Sequence, residues 1–306
     1  MNRPFALARV PQSMLLIPLA PVLAFQAWRT VRRTPRLDPA GGDEHGFVQG
    51  ANPGTGRPAF RVVVIGESTA VGVGATRHTE ALPGYLAEAL RERLRRSVAW
   101  SVTGENGATA RRITTGLVPA AGGMPNGASN GASNGASNGA SNGASNGAAQ
   151  PNGARESDGT ATTDGTAGDT AGGTAGGCAA DLVVVTVGIN DLIRRRPLRR
   201  WAADVSELVG VLRGRYAGAT VLVAGMPPVH RFPAIPQPLR YVLGARARTM
   251  DRIMREAARA GGAVHAPMDE AMARDRGLFA SDGFHPSPAG YRAWARDLAH
   301  AVAAPN

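Results

Sequence analysis

The chain has 306 residues, enough for one or two domains, and a formal net charge of +11. Its 34 basic residues are all arginine, which would suit an anionic partner. Aromatic residues make up only 5% of the chain and no nucleic-acid-binding motif is present, so we expect no nucleic-acid partner. The single cysteine, Cys178, excludes an internal disulfide framework.

An apolar stretch over residues 14–28 lies near the N-terminus, with arginines on both sides. As a helix it falls short of a hydrocarbon core of about 30 Å, although a start at Val10 nearly closes the gap. No small-residue cleavage site precedes the following arginines, so we expect no cleaved signal peptide. The denser positive charge on the C-terminal side predicts membrane association through residues 10–36, with the following domain in the cytoplasm. The alternative for this helix is that it is docked on the domain or lies in the membrane interface, and the alternative for the protein is that it is soluble and cytoplasmic.

Composition divides the rest of the chain into a linker, one domain and an insertion. Residues 34–58 are rich in Gly, Pro and Asp, and we interpret the N-terminal residues 1–58 as an apolar segment plus a linker. The domain occupies residues 59–306 and is interrupted at about residues 119–179, where the unit NGAS recurs and large apolar residues are almost absent. Such a segment buries too little apolar surface to offset its ordering entropy, which predicts a disordered insertion.

The domain begins with a β-branched run over residues 60–65 that is closed by Gly66, which predicts a strand buried on both faces. Ser68 follows just beyond the carboxyl end of this strand. In open parallel α/β sheets ligands bind at that edge. By itself, a serine at this place is more often a turn residue or a helix N-cap than a nucleophile.

The elements that follow alternate between helix and strand, as expected for a parallel sheet. Residues 80–97 place leucines four apart, which predicts an amphipathic helix packed on the sheet. The later helices are predicted over residues 198–216 and 241–261, and the later strands over residues 98–103, 181–188, 219–225 and 262–266.

Three further polar segments follow predicted strands. They contain Gly107 in NGAT, Asn190 in GIND, and Asp282 with His285 in DGFHP. Each has an ordinary explanation nearby: Gly107 suits a turn with positive φ, and Asn190 or Asp191 suits a helix N-cap. Helix capping by the Ser-Pro pair that follows DGFHP does not account for the aspartate and histidine before it.

Together with GEST around Ser68, these segments resemble the SGNH, or GDSL-type, hydrolase family. The resemblance extends over residues 60–303 apart from the insertion. It implies an α/β fold, a three-layer α/β/α sandwich around a flavodoxin-like central parallel sheet of about five strands. The sequence departs from the family pattern at Glu67, where the family usually has Asp.

The resemblance also assigns roles to the polar residues. Ser68 is the expected nucleophile, His285 the base and Asp282 the residue that orients the imidazole, while Gly107 and Asn190 join the Ser68 N–H as oxyanion donors. No cofactor is implied, and the absence of clustered ligands in the sequence argues against a metal site.

The segment 226–240 contains five prolines and cannot form a regular helix, yet it includes Phe232, Ile235 and Leu239. We expect it either to form the wall of a substrate pocket or to be a buried crossover. His230 lies in the same segment and is a candidate for substrate contact.

Three functions agree with these features. The first is a serine esterase or lipase that hydrolyses small-molecule or lipid carboxylic esters through an acyl-enzyme on Ser68. The second is an acyltransferase to an envelope glycan or lipid with the same residues, and the third is a non-catalytic, membrane-tethered binding domain.

Overall fold

The computed structural model describes residues 18–51, 57–121, 179–270 and 272–302. In these ranges a six-stranded sheet forms the centre of the molecule, with the strand order β1-β3-β2-β4-β5-β6. Its strands are β1 (His45–Val48), β2 (Phe60–Gly66), β3 (Val98–Gly104), β4 (Leu182–Thr186), β5 (Thr220–Ala224) and β6 (Val264–Ala266). The pairing of β1 with β3 is antiparallel and the other pairings are parallel. The five parallel strands, counted among themselves, follow the flavodoxin-like order 2-1-3-4-5, which confirms the expected fold class.

Helices cover both faces of this sheet. They are α1 (Ala20–Arg33), α2 (Leu82–Leu94), α3 (residues 110–120, with a π-helical turn over Ile113–Leu117), α4 (Ile189–Ile193), α5 (Leu198–Arg215), α6 (Leu239–Ala260) and α7 (Pro288–Ala301). In α2, Leu82, Leu86 and Leu90 are fully buried, as their four-residue spacing predicted.

Two hydrophobic cores lie on opposite faces of the sheet, because successive side chains of a strand point to opposite sides. In β2, Val63 and Ile65 pack towards α3, α5 and α6, while Val62 and Val64 pack towards α2 and α7. A strand buried on both faces has to be apolar throughout, which explains the continuous β-branched run at this point.

The interpretation of residues 34–58 as a linker is wrong in part, because His45–Val48 forms the edge strand β1. Gly46 lies against the indole ring of Trp100 in the neighbouring strand, where a side chain would not fit. An edge strand needs few apolar side chains, since much of its binding comes from backbone hydrogen bonds. Four residues with one exposed face therefore gave no recognisable pattern. The predicted insertion lies almost entirely outside the described residues.

Helix α1 packs against the start of α6. The side chain of Gln26 donates to the carbonyl oxygen of Gln237 at 2.6 Å and accepts from the backbone N–H of Leu239 at 3.1 Å. On the outer side, Phe25 and Trp28 are 59% and 51% exposed. Among the helices that the structure describes, none has both the length and the apolar character needed to cross a membrane. Residues 10–17 of the predicted membrane segment lie outside the described ranges.

Candidate active site

Three side chains from distant parts of the chain form a continuous hydrogen-bonded set at the carboxyl edge of the sheet. The hydroxyl oxygen of Ser68 lies 2.9 Å from Nε2 of His285, and Nδ1 of that histidine lies 2.6 Å from Oδ2 of Asp282. An aspartate on Nδ1 favours the tautomer whose Nε2 is free to accept the serine proton. The arrangement can therefore activate the hydroxyl as a nucleophile.

The loop after β2 and the loop before α7 are held together by close backbone packing. Gly74 has a φ of +99° and faces the carbonyl oxygen of Pro286, so a Cβ at this position would collide with it. From α7, the buried hydroxyl of Tyr291 donates to the carbonyl oxygen of Val73 at 2.7 Å. These contacts fix Ser68 relative to His285.

Asp282 has its own turn to orient it. Its Oδ1 accepts from the backbone N–H groups of Phe284 at 2.9 Å and of His285 at 3.0 Å, which leaves Oδ2 for the imidazole. Burial by itself would raise the pKa of Asp282, but the hydrogen bonds from the His285 side chain and the two backbone groups outweigh it and lower the pKa below its usual value. The carboxylate is therefore charged when the imidazole needs a partner.

Two of the three predicted oxyanion donors have available N–H groups. Within the described residues, the backbone N–H groups of Ser68 and Gly107 donate no hydrogen bond. Gly107 has a φ of +88°, as its interpretation as a turn residue predicted, and its carbonyl oxygen accepts from Arg194 at 3.2 Å.

The third predicted donor, the side-chain amide of Asn190, already has two acceptors. Its Nδ2 lies 2.8 Å from Oε2 of Glu67 and 3.0 Å from the carbonyl oxygen of Ala108. An amide nitrogen carries only two hydrogens, so an oxyanion has to share or displace one of these acceptors.

Glu67, the residue where the sequence departs from the family pattern, is only 4% exposed and lies directly behind the site. Besides the amide, its carboxyl group accepts from the backbone N–H groups of Ile189 and Asn190, each at 3.3 Å. Burial raises its pKa from 4.5 to about 7, against the opposing effect of these hydrogen bonds. Sequence reasoning noted this residue but did not predict its contact with Asn190.

The sequence suggested that Asp191 caps its own helix, but in the structure it does not. The N-cap of α4 is Gly188, and the buried Asp191 side chain accepts from the backbone N–H of Ala110 at 2.9 Å, the first residue of α3. Burial raises its pKa. The residue therefore ties α4 to the start of α3, which follows the loop that carries Gly107.

An apolar pocket opens beside Ser68 and His285. Phe232 from the proline-rich segment lies in its wall and makes edge-to-face contacts with Phe284 and Phe279, with ring centroids 5.0 and 5.6 Å apart. Ile235 and Leu239 are buried but do not line the pocket. The wall residues that the sequence did not indicate include Thr186, Val187, Ala224, Met268, Leu278, Phe279, Phe284 and Trp294. Their positions depend on how distant loops meet, which no local pattern encodes.

His230 lies in a different, polar cleft and not in the apolar pocket. Asp251, which lines the same cleft, makes a second carboxylate–imidazole contact, with His265 at 2.9 Å. Asp251 also accepts from the backbone N–H of Met226 at 2.9 Å, so this pair ties α6 to β6 and to the proline-rich segment. In the described ranges, no group of three or more His, Cys, Asp or Glu residues is placed to hold a metal ion.

An α/β sandwich with serine, histidine and aspartate hydrogen-bonded at the carboxyl edge of its sheet is the arrangement of serine hydrolases built on a flavodoxin-like fold. Within this class, the chain belongs to the GDSL-like lipase/acylhydrolase family, whose model matches residues 128–293. The matched range includes Asn190, Asp282 and His285 and begins after Ser68 and Gly107. Membership in the family is thus carried by the second half of the chain.

Known proteins agree with this assignment. The chain is 32% identical over 123 residues to the GDSL-like esterase Rv1075c of Mycobacterium tuberculosis, a match that spans 39% of this chain and 38% of that relative. Its fold is similar to that of phospholipase A1 from Streptomyces albidoflavus (TM-score 0.51, 14% identity, 80% of this chain and 100% of the other). The lipase Lip_vut3 from a goat rumen metagenome is also similar (TM-score 0.50, 15% identity, 79% and 97%). At such identities the two structures support the fold alone.

Proposed function

We propose that this protein is a serine esterase that hydrolyses carboxylic esters through an acyl-enzyme on Ser68. The observation that carries the proposal is the uninterrupted contact of Ser68, His285 and Asp282 at the mouth of an apolar pocket. The family and the esterase relative support the same reaction class.

In the first half of the reaction, the hydroxyl oxygen of Ser68 attacks the ester carbonyl carbon while Nε2 of His285 accepts its proton. Asp282, held ionised by its hydrogen bonds, stabilises the imidazolium. The N–H groups of Ser68 and Gly107 are free to donate to the oxyanion. The Asn190 amide also donates to it when the oxyanion displaces one of the two present acceptors of the amide.

Collapse of the tetrahedral intermediate breaks the bond to the alcohol, which leaves with the proton from His285. Water then transfers a proton to the same nitrogen as it attacks the acyl-enzyme. The second collapse releases the carboxylic acid and returns the proton to Ser68. His285 accepts and returns each proton that moves, so the reaction needs no further acid or base.

Labelling with a fluorophosphonate tests the proposal directly, because the reagent reacts with a serine only where a base has activated it. We expect one covalent adduct, located at Ser68 by peptide mass spectrometry, together with loss of esterase activity. No adduct, or an adduct on another serine with activity lost, would contradict the assignment.

We further propose that the protein acts at an anionic membrane surface and that α1 makes the contact. The outer side of the helix exposes Val22, Phe25 and Trp28, and the guanidinium of Arg32 lies 4.6 Å from the centroid of the Trp28 ring. Aromatic residues beside arginines suit the boundary between acyl chains and anionic headgroups. Through Gln26 the helix contacts the end of the proline-rich segment, which also carries the pocket residue Phe232.

A further inference from the structure

Two buried polar groups in the apolar pocket lack a hydrogen-bond partner. Among the described residues, neither the hydroxyl of Thr186 nor the indole N–H of Trp294 is paired. Both residues line the pocket that opens at Ser68, although they are only 2% and 3% exposed. The mechanism of ester hydrolysis uses neither of them.

These two groups lie on the same side of the sheet. Thr186 ends β4 and packs against Gly66 of β2, on the face that carries Val184. Trp294 belongs to α7, which covers that face, and Ala224 at the end of β5 lines the same pocket. The pocket thus has two unpaired polar groups where strand ends and α7 enclose it. Apart from Glu67, Ser68, Thr69 and His285, the other residues of its wall are apolar.

Elsewhere in the described residues, one buried tryptophan indole and one buried threonine hydroxyl do have partners. The buried indole of Trp201 donates to the carbonyl oxygen of Met250 at 3.0 Å, and the buried hydroxyl of Thr114 donates to that of Ala110 at 2.9 Å. Leaving such groups unpaired in an apolar environment is unfavourable, so buried polar groups that line a pocket are placed to meet a polar atom of the ligand.

We propose that the pocket binds an acyl group that carries an acceptor oxygen, such as a keto or ether oxygen, at a distance from the ester carbonyl. Such an oxygen has two lone pairs, so it can accept from one or both of the Trp294 N–H and the Thr186 hydroxyl. This specificity rests on the proposed esterase function.

The acyl group is the part of the ester that suits an enclosed pocket. The alcohol has to leave, and water has to reach His285, before the second half of the reaction begins. The acyl group stays covalently attached to Ser68 through both steps. A site whose polar groups need a partner then discriminates against an acyl chain that has only methylene groups at that position.

The test compares two 4-nitrophenyl esters of equal length, the 3-methoxypropanoate and the pentanoate, which differ by an ether oxygen in place of one methylene group. Each kcat/KM is divided by the rate of alkaline hydrolysis of that ester, which removes the difference in intrinsic reactivity. We expect the wild-type protein to favour the methoxy ester by about tenfold or more, the effect of one or two neutral hydrogen bonds.

Variants then assign the preference to the two groups. Trp294→Phe and Thr186→Val should each bring the ratio towards one, whereas Thr186→Ser, which retains the hydroxyl, should keep it. Trp201→Phe and Thr114→Val remove an indole N–H and a hydroxyl from buried sites outside the pocket and should leave the ratio unchanged.

The outcomes separate this inference from the proposed function. If neither ester is hydrolysed, the esterase assignment itself fails. If the wild-type protein hydrolyses both with equal corrected kcat/KM, or if the preference survives in Trp294→Phe and Thr186→Val, the inference is wrong and the esterase function stands. The wild-type ratio decides the question even where a variant does not fold. A preference that appears only when the oxygen is moved into the alcohol part would overturn the assignment to the acyl group.

Discussion

The buried carboxyl group of Glu67 and the side-chain amide of Asn190 are hydrogen-bonded at 2.8 Å, next to the candidate nucleophile Ser68. The residue before Ser68 therefore holds the amide that was expected to receive the oxyanion. A glutamate at this position also receives the first backbone N–H groups of α4, so strand β2 and helix α4 are linked through one side chain.

Replacing Glu67 should change how stability depends on pH. Because burial raises its pKa from 4.5 to about 7, the folded protein binds a proton that the unfolded chain releases between these values. The stabilisation from protonation is fully present below pH 4.5 and is lost as pH rises through 7. Glu67→Gln removes this titration. The free energy of unfolding of the variant, relative to that of wild type, should therefore rise by about 3 kcal/mol from pH 4 to pH 8.

Denaturant unfolding across that pH range measures the difference. Glu105→Gln is the control, because Glu105 is exposed and its pKa lies below the usual value owing to hydrogen bonds from Arg112. It should show no such gain. A difference between Glu67→Gln and wild type that does not vary with pH would contradict the assigned titration.

Loss of the nucleophile or of the base should abolish turnover of a short-chain nitrophenyl ester. Ser68→Ala and His285→Ala should each lower kcat by several orders of magnitude, and the double variant should be little worse than either, because the two residues act as one unit. Steady-state kinetics with circular dichroism as a check on folding provides the measurement. Substantial turnover by Ser68→Ala would remove the basis for the acyl-enzyme.

Asn190→Ala should lower kcat by about 10²- to 10³-fold with little change in KM, because the amide stabilises charge that develops only in the transition state. Asn106→Ala, at an exposed neighbour of Gly107, is the matched control and should retain wild-type kcat. An effect confined to KM would show that the Asn190 amide binds the ground state or only supports Glu67.

Gly74→Ala should damage the site more than it damages the fold. The added Cβ would meet the carbonyl oxygen of Pro286, and the φ of +99° is unfavourable for alanine, so the loop that carries His285 has to shift. We expect a loss of kcat of at least about tenfold, since small misplacements of catalytic groups are costly. Gly210→Ala, in α5 with free space around the glycine, should keep activity and stabilise the helix by up to about 1 kcal/mol. Equal activities of the two variants would contradict the packing argument.

Membrane binding through α1 predicts a specific pair of substitutions. Phe25→Ser with Trp28→Ser should strongly reduce co-sedimentation of the full chain with vesicles containing phosphatidylserine, and esterase activity on a soluble ester should persist. Phe47→Ser removes an exposed aromatic residue on β1 and serves as the control. If the double variant still binds, or if wild type never does, α1 is not the membrane contact.

Much of the fold could be predicted because it rests on local patterns. The continuous apolar runs predicted β2 and β4, and the leucine spacing predicted α2. The polar residues after the strands could be placed together, since parallel strands bring their carboxyl ends to one edge.

The rest depends on contacts that no local pattern carries. Strand β1 was not predicted because an edge strand is stabilised by backbone hydrogen bonds, here to β3. The acceptors of the Asn190 amide were not predicted because Glu67 and Ala108 lie on two other loops. The partnerless state of Thr186 and Trp294 likewise follows only from the way α7 packs over the strand ends.

The described chain stops at Ala121 and resumes at Ala179, at the end of the sheet opposite Ser68. Ala121 is bound by Arg215 at the end of α5, and Asp181 accepts from the backbone N–H of Arg61, near the start of β2. A single proteolytic cut within residues 122–178 would place Ser68 and Gly107 on one fragment and Asn190, Asp282 and His285 on the other. Since β2 lies between β3 and β4, those fragments would share the middle of one sheet, which would keep the two groups of candidate site residues together.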